Sequence, residues 1–586
     1  NASANQLYVG RDANNKFNRS YLRMDLPALG ADDNVVKAEL SLHPYDNTGL
    51  NPGMTSTSHT VFAQKVPNVC SVTDIQWNDA AGSPIADYVS VPCVDQGWFT
   101  WDVTTMVKEQ YESGASTVGV MLRGQENNEI TCRRFYSYRV GTSSQAGRPH
   151  LSIYYLNTTG LEDFMSYKSS DYGDIGACSI NEYTGKVTHI VNDVALGSNR
   201  LGITINHVYN SDWVNTDEGY GKGWSLNICS RILYLGNDTA PELFERGYYY
   251  RLRDEDGTYL FFTKKDASTY VDEVGRGYEL KVVDSIHTLT DKEGNQKIFN
   301  RDGYMTNIKD SSGNTVTINY SNGKPIKVTD AGGRSVTLSY ASDGHLSNIG
   351  GHVHSLEYGN TGHLNKIKRN NNLEIVFSYE GNTHRMQSVK NNNNVFYGMS
   401  YDSQGRVSTL WESMDPTSTQ NNLMSVQSYG KNKTVFRHRG QDDVLGNADD
   451  LLEYSLFNHY GQKISSYVTN LAGTKRYTAT ANEYTPVTTS TPLNNNKLLS
   501  SYSLNDGYNY ADNGSFETGN WDVYPAGYSG TMEVSSDYAF IGNKSAKLVS
   551  ATDTSRGAVF YRYVYGLPAG TYTLSGYIKG PWISGA

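Results

Sequence analysis

The sequence predicts an all-β protein in three successive parts: an N-terminal β-sandwich, a long curved β-ribbon that forms a partial shell, and a truncated β jelly roll. Three observations support this prediction. Tyrosine recurs about every 20 residues in the middle of the chain. Short segments that alternate apolar and polar residues occur throughout, which is typical of strands. Turn-forming and aromatic residues are abundant, with 56 Gly and 45 Tyr among 586 residues.

Residues 1–156 are predicted to form the sandwich. Strand-like segments separated by loops rich in Gly, Asn and Ser span residues 19–26, 35–45, 116–124 and 149–156. One short helix is predicted between them, because four apolar residues fall on one helical face: Val103, Met106, Val107 and Tyr111. Asp102 or Thr104 is the expected cap of its first turn.

Four ordered motifs in this part, NRSYLRMDLPAL, VVKAELSL, GWFTWDVTTMV and GRPHLSIYY, resemble the DNRLRE domain of secreted bacterial proteins. The resemblance implies a β-sandwich similar to carbohydrate-binding modules, and hence attachment to a cell wall or another glycan. Trp77, Trp98 and Trp101 allow two interpretations, a sugar-stacking surface or core packing. Core packing is favoured, because two of the three stand beside the start of the predicted helix.

Residues 157–190 are predicted to be a polar linker, and residues 191–504 to form the ribbon. Within the ribbon, each tyrosine ends a strand in which apolar residues alternate. A short turn follows, usually ending in Gly, and apolar residues come two and five positions after that Gly, as at Leu346 and Ile349 after Gly344. A spacing of three does not fit a plain strand, so each returning strand is predicted to contain a bulge. His384 replaces the Gly in one repeat.

The motifs HVYNSDW and GYGKGW, followed by these repeats, resemble the Rhs/YD-repeat proteins of bacteria, whose animal relatives are the teneurins. In that family the repeats form a spiral ribbon, which in many bacterial members encloses a toxin cut from the C-terminus of the chain. The region here is short for a closed shell, which favours a partial one. The repeat tyrosines are predicted to be packing residues rather than ligands or catalysts: Tyr320, Tyr340, Tyr358, Tyr379 and Tyr401.

Residues 505–586 contain motifs that differ from those of the sandwich and of the ribbon. NGSFETGNW, YAFIGNKSAKLV and LPAGTYTLSGYIKG resemble the start of a jelly-roll carbohydrate-binding module. The segment is too short for two complete sheets. The chain is therefore expected to be a fragment of a longer protein, with a toxin domain of its own as one candidate partner.

Composition excludes several classes of function. A net charge of −10 argues against nucleic-acid binding, which needs a basic surface. No apolar run of 18 residues or more is present, so no membrane span is predicted. The five cysteines show no zinc-binding spacing, and Cys70 with Cys93 form either a disulfide or two isolated thiols. No catalytic motif occurs, so the chain is not expected to be an enzyme.

One acidic segment, residues 440–454, is a candidate metal site. Five oxygen-bearing side chains surround Gly446, and oxygen is the ligand that calcium prefers: Asp442, Asp443, Asn447, Asp449 and Asp450. The spacing differs from an EF-hand, and a solvated acidic loop is the alternative. No other cofactor is expected.

Together these features predict a non-catalytic, secreted bacterial cell-surface scaffold of the Rhs/YD-repeat type, associated with the cell wall. It would belong to a larger toxin-like or wall-associated protein and bind glycan through its terminal modules. The alternative is an adhesive extracellular protein that self-associates through exposed β-edges.

Overall fold

The computed structural model describes residues 6–29, 33–45, 58–66, 85–91, 97–125, 130–139, 147–157, 160–236, 243–244, 247–392, 395–413, 421–430, 432–458, 460–486, 495–505, 522–523, 530–535, 545–550 and 560–561. The chain divides into two compact units, one of residues 1–156 with 509–586 and one of residues 157–508. Strands dominate both units, which confirms the all-β prediction.

The first unit contains two antiparallel sheets and one helix. A six-stranded sheet has the order β5-β4-β7-β2-β1-β8, and a three-stranded sheet has the order β6-β3-β9. Their bounds are β1 (Gln6–Arg11), β2 (Phe17–Asp25), β3 (Asp33–Leu42), β4 (His59–Val66), β5 (Ile85–Val91), β6 (Phe99–Asp102), β7 (Thr117–Gly124), β8 (Arg133–Tyr136) and β9 (His150–Asn157). Residues of both sheets share one apolar core, as a β-sandwich requires.

Helix α1 spans Thr104–Glu112 and packs on this core through the predicted face, with Val107 fully buried and Met106 2% exposed. The Asp102 carboxylate accepts hydrogen bonds from the Thr104 amide (2.9 Å) and hydroxyl (2.6 Å) at the start of the helix. Trp101 is fully buried, and its indole N–H donates to the Val61 carbonyl at 2.9 Å.

The second unit begins with a five-stranded antiparallel sheet in chain order: β10 (Tyr167–Asp171), β11 (Ala177–Asn181), β12 (Val187–Leu196), β13 (Ile203–Asn210) and β14 (Trp224–Leu226). The prediction of a linker over residues 157–190 is therefore wrong from Tyr167 onward, and the expected boundary falls inside β12. The sequence was misleading because β10 is an edge strand. Its side chains are half-buried or exposed, so polar residues suffice there.

The ribbon is a 24-stranded antiparallel sheet in which each strand pairs with its neighbours in sequence. Its first twelve strands are β15 (Arg231–Tyr234), β16 (Tyr248–Arg253), β17 (Tyr259–Lys264), β18 (Thr269–Asp272), β19 (Glu279–Val283), β20 (Ile286–Thr290), β21 (Gln296–Phe299), β22 (Met305–Lys309), β23 (Thr315–Ser321), β24 (Lys324–Thr329), β25 (Ser335–Tyr340) and β26 (Leu346–Ile349). The other twelve are β27 (Val353–Tyr358), β28 (Leu364–Arg369), β29 (Glu374–Glu380), β30 (Arg385–Asn391), β31 (Phe396–Tyr401), β32 (Val407–Ser413), β33 (Asn421–Gly430), β34 (Lys433–His438), β35 (Leu451–Phe457), β36 (Lys463–Asn470), β37 (Arg476–Tyr484) and β38 (Leu498–Asn505).

The predicted bulges are present in the returning strands. Ser339 pairs with Asn348, but the next residue, Tyr340, pairs with Leu346, so Ser347 is the additional residue. Equivalent register shifts precede each of the other four repeat tyrosines. A bulge at the same place in every repeat bends the ribbon in one direction.

Each turn that follows a repeat tyrosine places at least one residue at positive φ. Gly405 has φ +77°, and the Asp402 carboxylate fixes that turn by accepting from the amides of Gln404 and Arg406, both at 2.9 Å. His384 adopts φ +61° where Gly was expected. The turn geometry therefore persists without glycine, at the cost of some backbone strain.

Of the C-terminal segment, the structure describes two antiparallel pairs, β39 (Asp522–Val523) with β42 (Phe560–Tyr561), and β40 (Gly530–Ser535) with β41 (Ser545–Ser550). The three motifs that predicted a jelly roll lie mostly outside the described residues.

Candidate functional site

The repeat tyrosines form a ladder along the ribbon. Four hydroxyls donate to the first or second carbonyl of the returning strand of the preceding repeat: Tyr340 to Pro325 (2.9 Å), Tyr358 to Leu346 (2.9 Å), Tyr379 to Leu364 (2.6 Å) and Tyr401 to Met386 (2.6 Å). The hydroxyl of Tyr320 instead donates to the Ile228 carbonyl at 3.2 Å. These contacts join neighbouring repeats, which is the role expected of packing residues.

The residue that follows each turn packs against the aromatic ring of the tyrosine in the following repeat. The pairs are Lys324 over Tyr340 (5.1 Å), His345 against Tyr358 (4.5 Å), His363 stacked on Tyr379 (4.2 Å), Arg385 over Tyr401 (5.8 Å) and Arg406 over Tyr429 (4.4 Å). Cations and aromatic rings both interact favourably with the face of a tyrosine ring. Each ring is thus held at its face and at its hydroxyl.

The five-stranded sheet packs against this ladder. The Trp224 indole N–H donates to the Tyr379 hydroxyl at 2.8 Å, and the Met386 amide donates to the Tyr209 hydroxyl at 2.8 Å. Burial raises the pKa of Tyr379 well above its usual value. In GYGKGW, an added Cβ at Gly221 would lie 2.7 Å from the Leu364 amide nitrogen, so the close approach requires glycine there.

Residues 440–450 of the acidic segment form a loop before β35, and residues 451–454 begin that strand. Asp450 is fully buried, and its carboxylate pairs with Arg437 (Nε to Oδ2, 2.6 Å) and accepts from the Gly446 amide at 2.8 Å. Asp449 accepts from the Gln441 amide at 2.7 Å.

The remaining predicted calcium ligands lie nearer the surface. Asn447 donates to the Asp442 carboxylate at 2.5 Å, and Asp443, whose side chain is 76% exposed, pairs with Arg439 at 3.2 Å. Over the described residues, no three His, Cys, Asp or Glu side chains are grouped so that they could hold a metal ion. Most of the loop's oxygens therefore bind amides and arginines, and calcium binding stays a prediction.

An aromatic patch lies on the first unit, formed by His43, Tyr45, Trp98, Tyr136 and His150. Trp98 is 42% exposed, and the rings of His43 and His150 lie edge-on to it at 5.3 and 4.6 Å. Tyr136 contacts His43 at 5.8 Å and Tyr45 at 4.9 Å. Aromatic rings of this kind can bind the apolar face of a sugar while the imidazoles supply hydrogen bonds.

Backbone pairing positions the patch. The Tyr136 amide donates to the His43 carbonyl, and the Tyr45 amide donates to the Arg134 carbonyl, both at 3.0 Å. These bonds align the segment after β3 with β8. The Arg134 guanidinium lies over the Tyr45 ring at 5.4 Å, which adds a positive charge beside the patch.

The core interpretation of the tryptophans is correct for Trp101 and wrong for Trp98, while Trp77 lies outside the described residues. Alternation along β6 explains the difference, because residues three apart on a strand face opposite sides. Trp98 and Thr100 are exposed, whereas Trp101 is buried. Strand periodicity was therefore a signal that could have identified Trp98. His43, Tyr45, Tyr136 and His150 carried no such signal, since separate strands bring them together.

Three cysteines within the described ranges are free thiols, Cys132, Cys178 and Cys229. Burial raises the pKa of all three, to about 11 for Cys132 and Cys229 and about 12 for Cys178, which makes them unreactive. The predicted pair Cys70 and Cys93 lies outside the described residues. Within the described part of the chain, no helix has the length and hydropathy needed to span a bilayer.

Two segments match models of known families. Residues 1–153 match carbohydrate-binding module family 96, and residues 267–452 match the teneurin YD-shell. The chain thus combines a carbohydrate-binding module with a YD-shell segment. No protein with a curated description matches its sequence.

Among solved structures, the chain is similar to the TcdB2-TccC3-Cdc42 complex (14% identity, TM-score 0.23) and to TcdB2-TccC3 without its hypervariable C-terminal region (15%, 0.24). It is also similar to a variant of the Photorhabdus luminescens Tc holotoxin pore (14%, 0.24). Each alignment covers 53% of this chain and 16% of the other chain.

Proposed function

We propose that this chain is a non-catalytic, secreted bacterial scaffold of the Rhs/YD-repeat type that binds a cell-wall or other glycan through its first unit. The match of residues 1–153 to a carbohydrate-binding module supports this proposal. The observation that carries it is the grouping of the exposed Trp98 ring with the rings of His43 and His150, because a contiguous exposed aromatic patch, unlike a single exposed ring, marks an interaction surface.

The patch suits a pyranose ring in contact with Trp98. A sugar presents C–H groups on one face and hydroxyls at its edge. The C–H face would lie on the indole, and His43 and His150 stand beside the ring where hydroxyls would be. The His43 Nδ1 donates to the Pro44 carbonyl at 2.9 Å, so neutral His43 offers its Nε2 as an acceptor, whereas neutral His150 has one donor and one acceptor.

The test is binding of the full chain to a panel of polysaccharides, by pull-down and then by calorimetry on the best ligand. We expect Trp98→Ala to weaken binding about tenfold or more, from the loss of roughly 1.5 kcal/mol of ring contact. Phe17→Ala is the matched control, since Phe17 is 38% exposed and contacts Arg11 rather than the patch. Equal loss in both variants, or none with Trp98→Ala, contradicts the proposal.

Three finer proposals rest on the sequence resemblances. They are assignment of the first unit to the DNRLRE type, association with the cell wall, and a C-terminal toxin as partner. Sequencing the gene to its stop codon tests the toxin, and fractionation of the producing cells tests the location.

A second candidate function, adhesion through self-association, is favoured by β38. This strand ends the ribbon, and three of its apolar side chains are exposed: Leu498 (55%), Leu499 (63%) and Tyr502 (54%). Edge strands of this kind pair with other chains unless charges block them. Sedimentation that shows multimers, converted to monomers by Leu499→Lys, supports adhesion. A monomer at all concentrations excludes it.

A further inference from the structure

A loop near the start of the ribbon joins three parts of the second unit. This loop, residues 272–278 between β18 and β19, is termed the clasp. The buried Asp272 carboxylate holds it by accepting from four consecutive backbone amides at 2.7 to 2.9 Å, those of Gly275, Arg276, Gly277 and Tyr278. The clasp is therefore a preorganised element rather than a loose connection.

The clasp contacts the last strand of the ribbon. The side-chain amides of Asn495 and Asn496, just before β38, donate to the carbonyls of Glu273 (2.8 Å) and Val274 (2.9 Å). An added Cβ at Gly275 would lie 2.2 Å from the Asn495 carbonyl oxygen. The region after the fourth strand of the ribbon thus meets the segment before its last strand, 222 residues further along the chain.

The clasp also contacts the segment before β10. Arg276 donates to the Leu161 carbonyl at 2.8 Å and to the Glu162 carboxylate at 3.1 Å. On the ribbon side, Arg276 lies 3.7 Å from Asp254, which pairs with Lys297 at 2.5 Å. One guanidinium thus connects the chain that leads into the five-stranded sheet with the first strands of the ribbon.

Acidic groups outnumber basic groups at this junction. Among the described residues, this junction contains two cations, Arg276 and Lys297, and seven carboxylates: Glu162, Asp163, Asp254, Glu255, Asp256, Asp272 and Glu273. Three tyrosine hydroxyls complete the set of titratable groups: Tyr167, Tyr248 and Tyr278. The cations cannot neutralise every carboxylate, so closure is easiest when some carboxyls are protonated.

A cavity of about 590 Å³ borders the clasp. Arg276, Tyr278, Asp254 and Asp256 lie on its polar wall, whereas its apolar wall includes Ile190, Val208, Val316 and Val328. Movement of the clasp would therefore change access to a space between the five-stranded sheet and the ribbon that both polar and apolar side chains line.

We propose that the clasp is a reversible, proton-controlled closure of the ribbon, which opens this cavity when Glu162 and Glu273 ionise. Burial raises the pKa of Glu162 to about 7 and that of Glu273 to about 8. Both values exceed the ordinary glutamate value, so the closed state binds more protons than the open state. Closure is therefore strongest below the ordinary glutamate pKa of 4.5, and it weakens as the pH rises from there to about 7 for Glu162 and about 8 for Glu273.

Hydrogen exchange of the full chain at pH 6 and pH 9, expressed as protection factors relative to intrinsic rates, tests this proposal. The readout is the amide protection of residues 275–278. Between pH 6 and pH 9 we expect the protection factor to fall roughly tenfold because Glu162 ionises, and by up to a further hundredfold because Glu273 ionises. A neutral naphthylamine fluorophore should show increased fluorescence over the same range as it enters the cavity.

The double variant Glu162→Gln with Glu273→Gln should remove both pH responses, because glutamine imitates the protonated acid. Glu293→Gln, at an exposed turn, is the control that should retain them. Protection of 275–278 that is equal at pH 6 and pH 9 in the unaltered protein overturns the proposal. A pH response that survives in the double variant also overturns the proposal. If the double variant fails to fold, the same comparison is made with Glu162→Gln and Glu273→Gln separately.

Discussion

Removing the hydroxyl of Tyr379 should destabilise the second unit more than the same change at Tyr358. This hydroxyl donates to the Leu364 carbonyl at 2.6 Å and accepts from the Trp224 indole at 2.8 Å. Both partners are buried, with Leu364 fully buried and Trp224 2% exposed. Tyr379→Phe leaves a carbonyl and an N–H without their partner, and water cannot easily replace it.

The magnitude follows from the number of partners lost. An unsatisfied buried group costs about 1–3 kcal/mol, so Tyr379→Phe, which leaves two such groups, should cost about 2–6 kcal/mol. Tyr358→Phe loses the bond to the Leu346 carbonyl and should cost about half as much. Tyr477→Phe is the matched control, since Tyr477 is 39% exposed and should change the free energy of unfolding by less than about 0.5 kcal/mol.

The assay is urea unfolding followed by tryptophan fluorescence, with the free energy taken from linear extrapolation. A double-mutant cycle of Tyr379→Phe with Trp224→Phe isolates the bond between the two side chains. If Tyr379→Phe costs no more than Tyr477→Phe, the ladder does not stabilise the ribbon, and the hydroxyl contacts follow from ring packing alone.

Three other predictions follow from buried or crowded charges. Burial lowers the pKa of His189 to about 4, so the fold should lose about 3 kcal/mol as pH falls from 6.5 to 4, and His189→Gln should flatten that part of the stability profile. Arg437→Met leaves the buried Asp450 carboxylate unpaired and should cost about 3–5 kcal/mol in thermal or urea unfolding, partly restored by adding Asp450→Asn. Calcium binding at the acidic loop predicts heat on titration with calcium that Asp449→Ala reduces; no heat in the unaltered protein excludes the site.

The repeat architecture was predictable because its signals are local. Alternation, turn glycines and the spacing of apolar pairs all act within about 20 residues, and together they gave both the strands and their bulges. His384 shows that the signal is geometric, since the left-handed turn is kept without glycine. The sequence did not reveal the five-stranded sheet between residues 167 and 226, because it lacks the repeat and opens with a polar edge strand.

The aromatic patch was harder to predict than the ladder for the same reason. Its five side chains come from the ends of four segments that pair only in the folded sandwich. Strand alternation separates Trp98 from Trp101, but no local pattern links Trp98 to His43 or His150. The clasp is equally non-local, since Asn495 and Glu162 are far apart in sequence and meet only through the loop at 272–278.

The five-stranded sheet explains how so long a ribbon can be stable. A meander of hairpins buries one face only if something covers that face, because each repeat contacts chiefly its neighbours. Here Tyr209, Trp224 and the glycine segment before it bond to turns and tyrosines of successive repeats. A Cβ added at Gly221 would clash with Leu364 and push the glycine segment away from the ribbon. This change should therefore lower the stability of several repeats together, whereas the loss of one ladder hydroxyl should act only on the repeats that it joins. Comparing Gly221→Ala with Tyr358→Phe by hydrogen exchange separates these two modes, and purely local deprotection in Gly221→Ala contradicts a shared support.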